Sequence, residues 1–350
     1  MKNRIPEKEI FDLCGNPLQA AYTLPKILWF QKYHPEIYEH TYQFLQSNSF
    51  IAYRPDRGVY PGTAPRAMGL QCYDIQKGEW DLSMCSRMGI DPRKLPKLFD
   101  CHEIVGTVTA RASEETGLLE GVPVAAGGLD AACGTLGAGV IRDGETQEQG
   151  GQAGGMSICM ESFHSDPRLI LSHHVVPGTW LLQGGSVGGG GVMRWISQEL
   201  GAAARMQAEK NGTSQLYELD REAEMVSPGA DGVVFLPYMA GERSPIWNPR
   251  AKGVFFGLDY SKTRGHMIRA AMEGVGFSLR HNLQVAEEAG VRVSQLRAQG
   301  GAANSRLWTQ MKADITGKEI LVPGSDTAGA LGASILAGVG AGLTKALRRR

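Results

Sequence analysis

No surplus of charge of either sign marks this sequence: Lys and Arg number 36, Asp and Glu number 36, and the formal net charge is zero. That balance argues against a nucleic-acid binder or a protein drawn to an anionic membrane, both of which carry a basic excess. Cysteine is sparse as well. Cys14, Cys72, Cys85, Cys101, Cys133 and Cys159 are scattered, with no Cys-x-x-Cys pair and no His at zinc-finger spacing. They read as reduced thiols packed in a core, not as a disulfide framework or a structural metal site. No apolar run follows Met1, so there is no signal-peptide pattern. No stretch reads as a membrane span, which needs ~20 predominantly apolar residues. Residues 169–193 lack formal charge but are broken by His173, His174, Pro177 and a run of glycines. The expectation is a cytoplasmic protein with no membrane or nucleic-acid partner.

What is present is an ordinary globular composition, 42% hydrophobic and 21% charged, too apolar for disorder. The length of 350 residues is about two domains' worth of chain. Glycine is the outlier, with 46 residues, about 13% against a usual ~7%. The glycines cluster, so they need a reason.

Residues 18–45 hold an approximate helical period through Leu24, Ile27, Leu28, Ile37, Phe44 and Leu45, with a break at Pro35. Residues 54–66 carry Pro55, Gly58, Pro61, Gly62 and Pro65 and read as a loop. Residues 122–126 are a candidate buried strand, and strand candidates recur at 180–183, 233–238 and 294–299, each ending in glycines or a turn and followed by helix. That alternation predicts an α/β fold. The clearest helix is 266–288, with Ile268, Met272, Val275, Leu279, Leu283 and Ala286 at three- and four-residue spacing and Gly290 as its stop. A second helix is predicted over 305–316, with Leu307, Met311 and Ile315 inward and Gly317 ending it.

Three glycine-rich turns stand next to such elements: Gly150-Gly151-Gln152-Ala153-Gly154-Gly155, residues 184–191, and Gly300-Gly301-Ala302-Ala303-Asn304-Ser305 between a strand and a helix. Backbone without Cβ lets a ligand approach closely, and a helix N-terminus offers free N–H groups to phosphate. One such loop also serves as a plain tight turn; three in one chain point toward a nucleotide held by backbone. The chain has no Gly-x-x-x-x-Gly-Lys-Ser/Thr loop and no Gly-x-Gly-x-x-Gly after a strand, which argues against a P-loop or dinucleotide fold.

Asp130 is the only carboxylate within residues 121–140. It can cap the helix that follows, or serve as a general base at a strand end, and the residues alone do not choose between the two. His173-His174 would face opposite ways on a strand and read as surface or core, not ligands. Glu242 and Arg243 suit either a ligand contact or a structural ion pair. Trp29, Trp195 and Trp308 read as core.

Several segments together resemble the FGGY carbohydrate kinases, most closely the xylulokinase-type members. Gly253-Val254-Phe255-Phe256-Gly257-Leu258, seven residues and then His266-Met267-Ile268-Arg269-Ala270-Ala271-Met272-Glu273 fit the family's C-terminal signature at every constrained position. Tyr22-Thr23-Leu24-Pro25-Lys26-Ile27-Leu28-Trp29 resembles the N-terminal signature, with Ala21 departing at its first position. Gly127-Gly128-Leu129-Asp130, residues 237–245, and Gly300-Gly301 with Asn304-Ser305 follow in the family's order, so the resemblance spans residues 10–340.

The resemblance implies two ribonuclease-H-like domains of the actin-like ATPase superfamily around a cleft, the first incomplete. Residues 1–141 would be the remainder of the N-terminal sugar-binding domain and 142–350 the C-terminal nucleotide-binding domain. It implies ATP with Mg²⁺, no side chain assigned to the metal, and a small sugar substrate such as a ketopentose or polyol; a homodimer is compatible with it. Asp130 would be the catalytic base, and Gly300, Gly301, Asn304, Ser305, Gly190, Gly191, Gly150 and Gly151 would bind the nucleotide. The departures are an Asp-x-Gly-Thr phosphate turn found nowhere in the chain, and Gly150-Gly151-Gln152 where the family has Gly-Thr-Ser. The alternative is a non-catalytic fragment that retains nucleotide or sugar binding only.

Overall fold

The strongest helical period in the sequence becomes the longest helix. In the computed structural model, which describes residues 5–19, 22–56, 71–324 and 327–344, helix Arg264–Glu288 buries Ile268, Met272, Val275, Leu279, Leu283 and Ala286, the six positions the spacing predicts. A capping box between Thr263 and His266 opens it, and Gly290, at φ 86°, stops it.

The described residues fall into two compact units, one of residues up to 142 with 159–182 and the segment from 327, the other of 143–158 and 183–326. The six-stranded sheet has the strand order Ile320–Leu321, Gln295–Gln299, Glu145–Gly150, Gly154–Met160, Trp180–Ser186, Ile170–His173, of which the first three lie wholly in the second unit. Gln295–Gln299 is parallel to both its neighbours, Leu296 pairing with Thr146 and with Ile320. Glu145–Gly150 meets Gly154–Met160 antiparallel. Helices Gly190–Glu199, Gln215–Glu224, Arg264–Glu288 and Arg306–Thr316 enclose a core that includes Ile196, Leu219, Phe235, Ile268, Met272, Trp308 and Met311, each such side chain contributing roughly 1.5–3 kcal/mol of transfer free energy. This is the predicted α/β alternation.

The inner strand Glu145–Gly150 has no strand signal in the sequence, because Glu, Thr and Gln supply no apolar period. Its residues Glu145, Thr146, Gln147 and Glu148 are nonetheless buried. Tertiary pairing overrides propensity here: Glu145 pairs with Arg297 at 2.9 Å and Glu148 with Lys312 at 2.7 Å. The segment predicted at 233–238 is a strand over Val234–Leu236, but it pairs antiparallel with Val254–Phe256 instead of leading into a helix. Helix Arg306–Thr316 is rotated from the expected face. Trp308, Met311, Lys312 and Thr316 are buried on it, while Leu307 and Ile315 are only partly buried.

In the first unit the helical run breaks before Pro35 as expected, into Thr23–Tyr33 and Pro35–His40, and ends there instead of continuing to residue 45. Trp29 is not core. It stands 48% exposed, off the stripe of Leu24 and Ile27 that the helix buries, with its ring against Tyr33 and His34. The strand at 122–126 is Pro123–Ala125, paired antiparallel with Ile104–Thr107. It is not a buried strand: Val122 is 40% exposed and only Ala126 is buried, and among the described residues the ribbon has two strands. Residues 57–66 of the proline-rich loop lie outside the described residues; 54–56 end helix Ser47–Asp56. All six cysteines are free and buried, and burial pushes the Cys133 thiol up to about 11, which keeps it protonated and inert. No helix among the described residues is long and apolar enough to cross a membrane.

Two helices of this unit, Asp130–Gly137 and Ala328–Gly340, cross at backbone distance. A Cβ on Gly137 would overlap the Ala328 carbonyl oxygen, and one on Gly332 the Cys133 carbonyl oxygen. Gly332→Ala is therefore expected to destabilise by about 1–3 kcal/mol, although Ala is the better helix former by ~1 kcal/mol. Gly329→Ala, one turn away with nothing within 4 Å of its Cβ position, should be neutral or stabilising. Thermal unfolding of both variants checks this, and equal melting temperatures would refute the close crossing.

Candidate active site

Three glycine turns that lie far apart in the sequence are packed on one another in the second unit. The parallel strands Glu145–Gly150 and Gln295–Gln299 end together, Gln149 beside Gln299, and their turns touch. A Cβ on Gly150 would lie 2.5 Å from the Ala302 Cβ, and one on Gly300 3.0 Å from the Gly150 carbonyl carbon. Gly300 holds φ at 87°, a conformation that strains any residue with a Cβ. The third turn closes on the first: Gly190 N donates to Gly151 O at 2.7 Å and Gly191 N to Gln152 O at 3.0 Å. A Cβ on Gly189 would overlap the Ala153 carbonyl carbon. Above Gly301 there is no atom within 4 Å of a Cβ position, and above Gly151 only the Ala153 oxygen at 3.8 Å. The interlocked glycines thus keep an exposed backbone surface at Gly151 and Gly301. Bare backbone with no side chain over it is a surface that a phosphate chain can approach.

Asp130 lies in the first unit, as the first residue of helix Asp130–Gly137. The left-handed Gly127 and Gly128, whose Cβ position is 2.6 Å from Val175 Cγ1, turn the chain into it. The N-cap is Leu129, which has no side-chain cap; the Asp130 carboxylate accepts from the adjacent Ala131 N at 2.7 Å. Its carboxylate is exposed at the positive end of the helix. An Asp here is not acting as the hydrogen-bonding N-cap that the sequence left open.

Comparison with known proteins bears on both features. The FGGY family of carbohydrate kinases, N-terminal domain, matches residues 1–137, and the C-terminal domain of the same family matches residues 155–341. The chain belongs to the FGGY family of carbohydrate kinases. The xylulose kinase of Bacillus subtilis is 30% identical over 349 residues, which are 98% of this chain and 68% of that protein. The gluconokinase of Bacillus licheniformis is 32% identical over 96% of this chain and 66% of its own length. The crystal structure of xylulose kinase from Rhodospirillum rubrum superposes with a TM-score of 0.87 and 28% identity, over 99% of this chain and 68% of that one. The two-domain, actin-like architecture expected from the resemblance is thereby shown.

Within this FGGY chain the remaining predicted residues divide. Gly150, Gly151, Gly190, Gly191, Gly300 and Gly301 are brought together. Asn304 is exposed on the rim of an open cavity of about 440 Å³ shared with Arg306, Thr309 and Gln310. The Ser305 hydroxyl works within the fold: it accepts from Trp308 N at 3.0 Å as the cap of helix Arg306–Thr316 and hydrogen-bonds to Asp220, whose carboxyl burial pushes up. Glu242 forms no ion pair with Arg243. It is buried and accepts from Ser186 Oγ at 2.8 Å, Val187 N at 2.9 Å and Arg243 N at 2.7 Å, fixing the start of the third turn. His174 is a core residue, its Nε2–H donating to Val140 O at 2.9 Å. Sequence reasoning missed the buried Lys312 and Glu148. The available signal was a lysine four residues after Trp308 on the apolar stripe of the helix, where a lone cation needs a partner. Among the described residues no group of three or more His, Cys, Asp or Glu side chains is placed to hold a metal ion.

Proposed function

We propose that this chain transfers the γ-phosphoryl group of ATP to a hydroxyl of a small sugar, a ketopentose such as xylulose or a related polyol, with Asp130 as the general base. The observation that carries this reading is the interlocking of the three glycine turns around the open backbone at Gly151 and Gly301; the names of the relatives support a sugar as acceptor. Gly150, Gly151, Gly190, Gly191, Gly300 and Gly301 would hold the phosphates through backbone N–H groups, with Asn304 and Ser305 at the same turn. Asp130 would take the proton from the sugar hydroxyl as that oxygen attacks phosphorus in line. The turns offer no carboxylate, which fits a divalent cation carried by the nucleotide's own phosphates; such a cation supplies neutralisation of the charge that develops on transfer. Residues 1–141 would serve the sugar and 142–350 the nucleotide.

The test is calorimetry with ATP and Mg²⁺, followed by ADP release in the presence of D-xylulose and of gluconate. Gly301→Trp is expected to fold, since its side chain points into open space, and to abolish nucleotide binding by filling the phosphate surface. Equal heats for wild type and variant would remove the turn from the site. Nucleotide binding without ADP release for any sugar would leave the second reading, a binding protein without turnover.

A further inference from the structure

We infer that the buried ion pair between Lys312 and Glu148 is a positioning device that locks the turns at residues 150–151 and 300–301 to each other. This rests on the reading of those turns as nucleotide contacts. Glu148 stands two residues before Gly150 on the strand that runs into the first turn, and Lys312 stands on the helix that leaves the second. Lys312 Nζ donates to Glu148 Oε1 at 2.7 Å, and the side chains are 2% and 4% exposed. The ammonium also lies 4.7 Å over the Trp308 ring, and the Trp308 indole N–H is anchored on Met272 O at 2.9 Å, so the lysine has little room to move. A Cβ on Gly150 would be 3.5 Å from Nζ: the cation sits directly beneath the turn. Glu148 Oε2 has no partner among the described residues, so Lys312 alone orients the carboxylate.

A buried pair of this kind is a poor device for stability, because the desolvation of two charges offsets most of their attraction and apolar replacements are often as stable. What an apolar contact does not supply is direction. A hydrogen-bonded ion pair has one length and one angle, and here it joins the strand and the helix whose ends carry the turns. Misplacement of a ligand-binding turn by a fraction of an ångström is felt in binding, since the cost of ordering it then falls on the ligand.

Either single change strands a buried charge, so the decisive variant is the double replacement Glu148→Leu/Lys312→Met in the full chain. Its melting temperature is expected to stay near wild type. In the ligand-free chain, hydrogen exchange at residues 150–152 and 300–304 should rise by about tenfold or more while helix Arg264–Glu288 keeps its protection. The Kd for ATP with Mg²⁺ should rise by about tenfold, with KM for ATP following it and kcat changing less. The isosteric Glu148→Gln is the second probe, expected to shift the same turn amides in the same direction should the double variant not fold. Turn amides that exchange at the wild-type rate in a folded variant overturn the inference. So does loosening of the turns together with an unaltered nucleotide Kd. Should wild type itself bind no nucleotide, the proposed function falls, and the exchange of the turn amides still decides whether the pair positions them.

Discussion

Asp130→Asn should lower sugar phosphorylation by ~10²–10⁴-fold, the usual worth of a general base, and leave the melting temperature and nucleotide binding unchanged. The expectation is sharp because the structure removes the competing role. Leu129 occupies the cap position and Asp130 is already inside the helix, where its oxygen accepts from the adjacent Ala131 N–H. An Asn keeps that acceptor and the shape of the side chain and loses only the ability to accept a proton. The dipole contribution of an exposed first-turn carboxylate is about 0.3–1 kcal/mol, too small to move the transition far. Steady-state turnover and thermal unfolding of the same preparation settle it. Near-normal turnover would sink the assignment of Asp130 as base. Loss of activity together with a large fall in melting temperature would mean that the residue is structural.

Lys312→Met is expected to have the largest effect on stability. Removing the cation leaves Glu148, itself 3% exposed, with neither oxygen paired, and breaking one side of a buried pair costs about 3–5 kcal/mol. At about 2–4 °C per kcal/mol for a domain of this size, the transition should fall by roughly 6–20 °C. The paired replacement of both residues should recover most of that loss, since no charge is then stranded. A single variant that melts with wild type would mean that Glu148 is neutral or hydrated in the folded state, and the ion pair would lose its standing as the link between strand and helix.

The parts of this protein that were legible in the sequence are those where local chemistry and tertiary role agree. Helix Arg264–Glu288 carries its core face in its period. Ser305 and Gly317 bracket helix Arg306–Thr316 as cap and left-handed stop, roles that side-chain oxygen and a missing Cβ perform wherever they occur. The Gly300-Gly301 turn was visible for the same reason. The burial of the cysteines followed from their number and scatter. Trp29 misled because size alone does not decide burial; the helix turned its Leu24 and Ile27 stripe inward and left the indole outside.

Sequence by itself determined the membership of the FGGY family, the α/β class and the existence of three glycine turns, because signatures, periods and glycine runs are local statements. Tertiary structure alone decided that the polar segment Glu145–Gly150 is an inner strand, that Lys312 lies beneath Gly150, and that turns from residues 150, 190 and 300 form one surface. The physical reason is common to all three. Glu148 and Lys312 can be core residues because each meets an opposite charge 164 positions away, and a glycine becomes indispensable only when another segment's backbone occupies the space of its missing Cβ.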